Sequence, residues 1–234
     1  MDEMELVTAL LDRMGGRFSV SLGIDLDQGG SGEVFKWFLA SVLYGARISE
    51  TIATNTYREF ERRGILSPDR ILETGWDGLV GILDSGGYVR YDFKTATKLL
   101  EVMGNLEERF DGDLNGLHAQ AEGPHDLEEK LMDLGKGIGP VTVNIFLREL
   151  RDVWERAEPL PQRLAVMAAG NLGLVQATEP KETLSELRAL WEEHALPGKK
   201  FSDFESSLVR LGKDYCRRKR CEVCPLAEQC GERS

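Results

Sequence analysis

All four cysteines of the 234-residue chain lie within its last twenty residues, in the pattern Cys-x4-Cys-x2-Cys-x5-Cys. They are Cys216, Cys221, Cys224 and Cys230. Four thiols this close in sequence can converge on one point, which is how proteins bind a tetrahedral zinc ion or a [4Fe-4S] cluster. The C-terminal end of the fold is therefore expected to be one continuous loop wrapped around a metal centre.

The spacing of the cysteines favours the [4Fe-4S] cluster. A zinc site usually has two Cys-x2-Cys pairs separated by a longer loop, and only Cys221 and Cys224 form such a pair here. Zinc remains the alternative cofactor. Disulfides are a third interpretation, but two bridges would close very short loops and stabilise little, and the N-terminus does not resemble a secretory signal.

A run of four cations lies between the first two cysteines: Arg217, Arg218, Lys219 and Arg220. Such a run can be a solvated turn that offsets the charge of thiolate ligands. It can also be a loop that contacts phosphate groups.

The chain is acidic, with a formal net charge of −11, which counts against general nucleic-acid binding. Screening over about 8 Å at physiological salt nevertheless lets one basic face act by itself. No apolar run approaches the roughly 20 residues of a membrane span, and no targeting segment is evident. We therefore expect a cytoplasmic protein with no membrane partner.

Apolar residues recur with helical periodicity along almost the whole chain, and no segment alternates as a strand does. Helices are predicted over residues 4–14, 33–44, 49–63 and 126–134, with short helices from Pro68 to about Thr74 and from Asp77 to Leu83. The fold class predicted from this pattern is all-α.

A second informative stretch is LMDLGKGIGPVTVNIFLRE, in which Gly137-Ile138-Gly139 separates two apolar helices. Glycines in such a turn permit left-handed backbone angles, and the N–H groups that open the second helix point outward at one place. That place can bind phosphate without basic side chains. The alternative is a close-packed turn with no ligand.

Together, this hairpin and the cysteine loop resemble the endonuclease III family of helix-hairpin-helix DNA glycosylases. The likeness runs from about Val34 to Cys230. The segments that carry it are FKWFLASVLYGA, GGYVRYDFKTATKL, LGKGIGPVTVNIFL and LVRLGKDYCRRKRCEVCPLAEQC. The family's first gap between cysteines is usually six residues, whereas it is four here.

The resemblance implies a two-lobed all-α fold with a DNA groove between the lobes. Residues 31–153 would form a six-helix barrel domain that ends in the hairpin, and residues 1–30 with 154–234 the iron-sulfur domain. It also implies an enzyme that flips a damaged base out of double-stranded DNA and cuts its glycosidic bond. The implied DNA contacts lie in the hairpin and in the basic loop: Gly137, Ile138, Gly139, Val141, Thr142, Arg217, Arg218, Lys219 and Arg220.

The sequence departs from the family where the catalytic residues belong. Bifunctional members carry a lysine in the hairpin at the position of Val141, so their Schiff-base route is unavailable from that position. The usual aspartate falls at Pro159 or Pro161. The glutamine that fills the gap left by the flipped base falls at about Ala46, beside Arg47.

A carboxylate from elsewhere would then be needed, and the candidates are Asp152, Glu158, Asp92 and Glu50. Two aromatic residues that flank a cation could stack on and hydrogen-bond the extruded base. With Arg47 they make up the expected base pocket: Tyr88, Arg90, Tyr91 and Arg47.

The function expected from these features is that of a monomeric, monofunctional DNA glycosylase without a lysine-dependent lyase step. Two alternatives remain open. One is an inactive protein that recognises DNA damage, and the other is a DNA-binding redox sensor that uses the cluster as its switch.

Overall fold

The computed structural model describes residues 2–231, and within them every regular element is helical. The prediction of an all-α fold is confirmed. Residues 2–231 form twelve α-helices: α1 Glu3–Met14, α2 Phe18–Ser21, α3 Ser31–Tyr44, α4 Glu50–Arg62, α5 Pro68–Ser85, α6 Asp92–Phe110, α7 Leu114–Ala119, α8 Pro124–Met132, α9 Pro140–Arg148, α10 Arg163–Asn171, α11 Pro180–His194 and α12 Phe201–Asp214.

Local sequence signals set several helix starts. Ser49 and Ser67 each precede a helix, and their hydroxyls accept hydrogen bonds from the N–H groups of Ile52 and Arg70. These contacts satisfy donors that have no partner inside the helix. The two short helices predicted around residue 75 are the two halves of α5, which is kinked at Gly75 with φ +67°. Glycine adopts that angle without a steric penalty.

The chain divides into two compact units. One comprises Leu22–Leu147 with Val153–Ala157, and the other comprises Met1–Ser21, Arg148–Asp152 and Glu158–Ser234. The expected division into 31–153 and 1–30 with 154–234 stays a prediction. No helix in residues 2–231 is both long and apolar enough to cross a membrane.

The first unit is built around α3, whose Trp37 and Phe38 are fully buried. The indole N–H of Trp37 donates to the carbonyl of Phe146 at 3.0 Å, and the rings of Phe38 and Phe146 meet edge to face at 5.2 Å. Trp154 packs on Phe146 from the other side at 5.4 Å. These contacts anchor α9, the second helix of the hairpin, to the centre of the unit.

In the second unit, two buried carboxylates, Glu205 of α12 and Glu149, both have hydrogen-bond partners. Glu205 accepts two hydrogen bonds from Arg151, at 2.6 and 3.2 Å. Glu149, also buried, accepts the backbone N–H groups of Phe18 and Ser19 at 2.7 and 2.8 Å. Such groups are tolerated in a core only when they are paired and hydrogen-bonded.

We expect Gly212 of α12 to be intolerant of a side chain, because a Cβ there would lie 2.1 Å from the carbonyl oxygen of Leu164 in α10. Gly212→Ala should lower the free energy of unfolding by about 3 kcal/mol, since the two helices must separate. Urea denaturation measures the change.

Gly170 in α10 is the matched control, with no atom within 4 Å of an added Cβ. Gly170→Ala should leave stability unchanged or raise it by up to about 1 kcal/mol. Equal denaturation midpoints for the two variants would contradict the close approach of α10 and α12.

Candidate functional site

One face of α6 holds the turn between α8 and α9. Arg109 donates to the carbonyl of Asp133 and Asn105 to the carbonyl of Leu134, at 3.0 and 2.9 Å. Glu101 accepts the backbone N–H of Lys136 at 3.0 Å. These three side chains follow one another at four-residue spacing and so share one face of the helix. Arg109 and Asn105 satisfy the carbonyls of the two residues that follow α8, and Glu101 satisfies an N–H group of the turn, so the start of the turn is fixed.

The hairpin exposes some of its predicted DNA-binding residues and buries others. Gly137 is exposed with φ +96°, and Val141 is 59% exposed. Ile138 and Thr142 are buried. Thr142 packs against Gly45 at the end of α3, where an added Cβ would lie 2.2 Å from its hydroxyl oxygen. Gly139 accepts the N–H of Val143 and opens α9. The surface left for a ligand is therefore the backbone of the turn and the side chain of Val141.

A cavity of about 790 Å³ lies beside this turn. Its walls come from the turn after α3, the middle of α5, the start of α6 and the hairpin, all within one unit. Four of the residues that line it are aromatic. The aromatic residues are Trp76, Tyr88, Tyr91 and Phe93.

Trp76 and Phe93 form an exposed aromatic pair at the cavity. Their rings lie 5.2 Å apart, and the indole N–H of Trp76 donates to the Thr97 hydroxyl at 3.1 Å. Phe93 is 58% exposed, which is unusual for a large apolar side chain. Tyr88 is almost completely buried, and burial raises the pKa of its hydroxyl while the neighbouring Thr95 side chain lowers it. The cavity thus offers flat apolar surfaces to a planar ligand.

Charge is concentrated at the same place. Four of the residues that line the cavity are cationic, Arg47, Lys94, Lys98 and Lys136, and Glu101 is the one carboxylate among them. Burial lowers the pKa of Lys98. In a chain with a net charge of −11, this local excess of positive charge is a basic surface that attracts anions.

The structure brings three of the four predicted base-pocket residues, Tyr88, Tyr91 and Arg47, to this cavity. Arg90 is not part of the lining, and its guanidinium lies 5.3 Å from the centre of the Tyr91 ring. Asp92 begins α6 and accepts the N–H of Phe93 at 2.7 Å. The pKa of Asp84 is raised by desolvation and then by its hydrogen bond with Asp92.

Two of the other predicted catalytic carboxylates, Asp152 and Glu158, make structural contacts within their own unit. Asp152 accepts the hydroxyl and the backbone N–H of Ser202, at 2.6 and 3.3 Å, in the first turn of α12. Both carboxylate oxygens of Glu158 accept hydrogen bonds from the guanidinium of Arg188, at 2.5 and 2.7 Å. Both side chains therefore have partners that compete with any ligand.

The prolines that replace the family's aspartate lie in a tightly held segment. Pro159 and Pro161 are buried, and the carbonyl of Pro159 accepts a hydrogen bond from Arg151. Gln162 then opens α10 and accepts from Arg148 at 3.4 Å. Side chains from this segment hold the backbone in place and present no carboxylate.

The cysteine loop follows α12 as three short 3₁₀ turns, Cys216–Arg218, Cys221–Val223 and Ala227–Gln229. It is attached to its unit by the fully buried Leu226 and by a hydrogen bond of 2.9 Å from the N–H of Gly231 to the carbonyl of Asn171.

The four thiols influence one another. Burial raises the pKa of Cys216 to about 11, and the other three cysteines add to the effect. Across residues 2–231, however, no group of three or more His, Cys, Asp or Glu side chains is placed to hold a metal ion. The cofactor therefore stays a prediction from spacing.

All four cations of the loop, Arg217, Arg218, Lys219 and Arg220, are exposed. Lys219 adopts a left-handed backbone angle, φ +52°, which turns the chain between the first two cysteines. The loop therefore presents its positive charge to solvent.

Six aromatic or charged residues of the cavity are absent from the sequence-based site: Trp76, Phe93, Lys94, Lys98, Glu101 and Lys136. A signal for three of them was present, because Lys94, Lys98, Glu101 and Asn105 recur at the spacing of one helix face. Nothing local distinguishes such a face from an ordinary solvated one.

No protein-family model matches the chain, and no curated protein sequence matches it significantly. Among solved structures it is similar to the 3-methyladenine DNA glycosylase (MagIII) of H. pylori bound to 1,N6-ethenoadenine. That match has a TM-score of 0.53 and 14% identity, and covers 94% of this chain and 99% of that one. A thermostable thymine-DNA glycosylase matches with a TM-score of 0.52 and 15% identity, covering 98% and 95%.

This chain has the DNA glycosylase fold. The resemblance predicted from the hairpin and the cysteines is thereby confirmed for the fold. Within the glycosylase fold of this chain, the cavity beside the hairpin is the candidate site.

We expect Glu101 to hold the hairpin turn closed. Glu101→Ala should speed amide hydrogen exchange at Lys136 by about tenfold or more, since a hydrogen bond to a charged group contributes roughly 1.5–3 kcal/mol. Exchange followed by NMR measures the effect. Glu108→Ala, an exposed position on the same helix, is the control and should leave that amide unchanged. Equal exchange in both variants would mean that α6 does not hold the turn.

Proposed function

We propose that this protein is a base-excision glycosylase that flips a damaged base from double-stranded DNA and hydrolyses its N-glycosidic bond. The observation that carries the proposal is the aromatic and cationic cavity beside the hairpin turn. Two solved structures of the same fold are named as DNA glycosylases, which supports it. The protein would act as a monomer in the cytoplasm.

Each part of the cavity suits a part of the substrate. Trp76, Tyr91 and Phe93 supply rings on which a flipped base can stack, and such stacking contributes about 1–3 kcal/mol per base. Arg47, Lys94 and Lys136 supply positive charge for the flanking phosphates. The backbone of the hairpin turn supplies N–H donors for a phosphate. Binding therefore needs no basic character elsewhere in the chain.

Hydrolysis of the glycosidic bond needs a carboxylate that stabilises the developing positive charge of the sugar or activates water. The candidates from sequence are Asp152, Glu158, Asp92 and Glu50, and Glu101 joins them because it lines the cavity. Val141 has no amine, so we propose that the hairpin takes no covalent part in base removal.

We further propose that Cys216, Cys221, Cys224 and Cys230 ligate a [4Fe-4S] cluster, with zinc as the alternative. The support is the unequal spacing of the four cysteines within one short loop. The loop would then hold Arg217, Arg218, Lys219 and Arg220 for contact with DNA phosphates.

Base release from duplexes that each carry one damaged base tests the proposed function. Trp76→Ala should lower kcat/KM on the best substrate by about 10- to 100-fold because stacking is lost, and Trp76→Phe should restore most of it. Val20→Ala, an exposed apolar position in the other unit, is the control and should match the wild type. Release that is equal for Trp76→Ala and the wild type would exclude the cavity as the base site.

Metal analysis of the purified protein tests the cofactor. We expect about four iron and four sulfide ions per chain and visible absorbance, both lost in Cys224→Ser. One zinc ion per chain in a colourless protein would show that the cofactor is zinc, the alternative, and not the cluster. A metal content unchanged in Cys224→Ser would exclude this cysteine as a ligand.

A second candidate function is recognition of damaged DNA without catalysis. It is favoured by the engagement of Asp152 with Ser202 and of Glu158 with Arg188, which leaves two predicted catalytic groups in structural contacts. Tight, lesion-dependent binding with no base release from any duplex would favour it. A redox sensor would instead show DNA affinity that changes with the oxidation state of the cluster.

A further inference from the structure

We propose that the ε-amino group of Lys98 is a nucleophile that attacks the C1′ aldehyde of an abasic deoxyribose in DNA and cleaves the strand. This activity deepens the proposed function, because removal of a base leaves such an aldehyde. It also departs from the expectation of a monofunctional enzyme, which rested on position 141 alone.

The position of Lys98 is the first support. It lines the cavity between the aromatic residues and the hairpin, and its side chain runs along the turn. A Cβ added to Gly137 would lie 3.1 Å from the Cδ atom of Lys98. The amine is therefore held beside the turn where backbone N–H groups can bind the phosphate of the damaged nucleotide.

The chemical state of the amine is the second support. The side-chain amine of Lys98 has no hydrogen-bond or ion-pair partner among residues 2–231, although Glu101 and other charged groups line the same cavity. Desolvation lowers its pKa, so more of the amine is uncharged at neutral pH than in an ordinary lysine. A desolvated lysine that lies near other cations and has no partner for its amine is the usual form of an amine nucleophile.

The reaction balances without a further reactant. The lone pair of Nζ forms a bond to C1′, and the aldehyde oxygen leaves as water, which gives an imine. A proton then leaves C2′, and the 3′ phosphate departs with the C3′–O bond electrons. Water finally hydrolyses the imine and frees Lys98. Glu101 lies one helical turn further along α6 in the same cavity, where its carboxylate can accept the C2′ proton.

Borohydride trapping on duplex DNA with a preformed abasic site tests the inference. Borohydride reduces the imine to a stable amine, so the wild type should become joined to the DNA, and peptide mass spectrometry should place the sugar on Lys98. Lys98→Arg keeps the positive charge but cannot form the imine, and should reduce trapping by about 100-fold or more. Lys130→Arg, outside the cavity, is the control and should trap as the wild type does.

A pH profile provides a second readout. The groups that share the cavity with Lys98 are Arg47, Tyr88, Tyr91, Lys94, Glu101 and Lys136. The rate of strand cleavage should rise with pH and reach its plateau below the ordinary pKa range of lysine, as the amine loses its proton.

A thermal melt of Lys98→Arg that matches the wild type shows that loss of trapping is not loss of folding. An adduct on another amine, or trapping that persists in Lys98→Arg, would overturn the inference.

Two results separate this inference from the proposed function. Because the abasic site is made beforehand, trapping on Lys98 does not require base release. A wild-type protein that releases bases but forms no adduct would overturn the role of Lys98 alone. A protein that forms the adduct but releases no base from any duplex would support Lys98 and overturn the glycosylase proposal.

Discussion

The candidate site depends on the contacts between one face of α6 and the hairpin turn. Asn105 and Arg109 satisfy the carbonyls of the two residues that follow α8, and Glu101 binds the N–H of Lys136. A turn between two helices leaves such groups without partners, and their burial without hydrogen bonds would cost free energy. Because the same helix also carries Lys98, the interaction that closes the turn places an amine and a carboxylate beside it.

Charge distribution explains how so acidic a chain can still present a basic surface that attracts anions. The net charge of −11 is a sum over the whole chain, whereas a phosphate responds to charges within about a Debye length. Four cations and one carboxylate line the cavity. Its aromatic walls also lower the local dielectric, which strengthens each of these interactions. The acidic remainder repels anions elsewhere, so the basic cavity and the exposed Arg217–Arg220 loop are the places where contact with an anion, such as the proposed DNA substrate, is favoured.

Charged side chains hold the segment in which the resemblance would place an aspartate. Arg151 pairs with the buried Glu205 and also binds the carbonyl of Pro159. Glu158, one residue earlier, is bound by Arg188. In this segment charge stabilises the backbone, since a buried arginine must find acceptors. The groups on which the proposed chemistry rests, Lys98 and Glu101, lie instead at the cavity.

The sequence alone determined the helical class, the hairpin, the two helical segments on either side of residue 75 and the resemblance that the fold comparison confirmed, because helix periodicity, caps and glycine turns depend on neighbouring residues. It also placed Tyr88, Tyr91 and Arg47 in one site. Tertiary structure alone decided which charged groups have partners. Asp152 meets Ser202 and Glu158 meets Arg188 across dozens of residues, while Lys98 meets no partner in residues 2–231. Pairing of charges depends on distances between segments far apart in the chain, and periodicity carries no information about those distances.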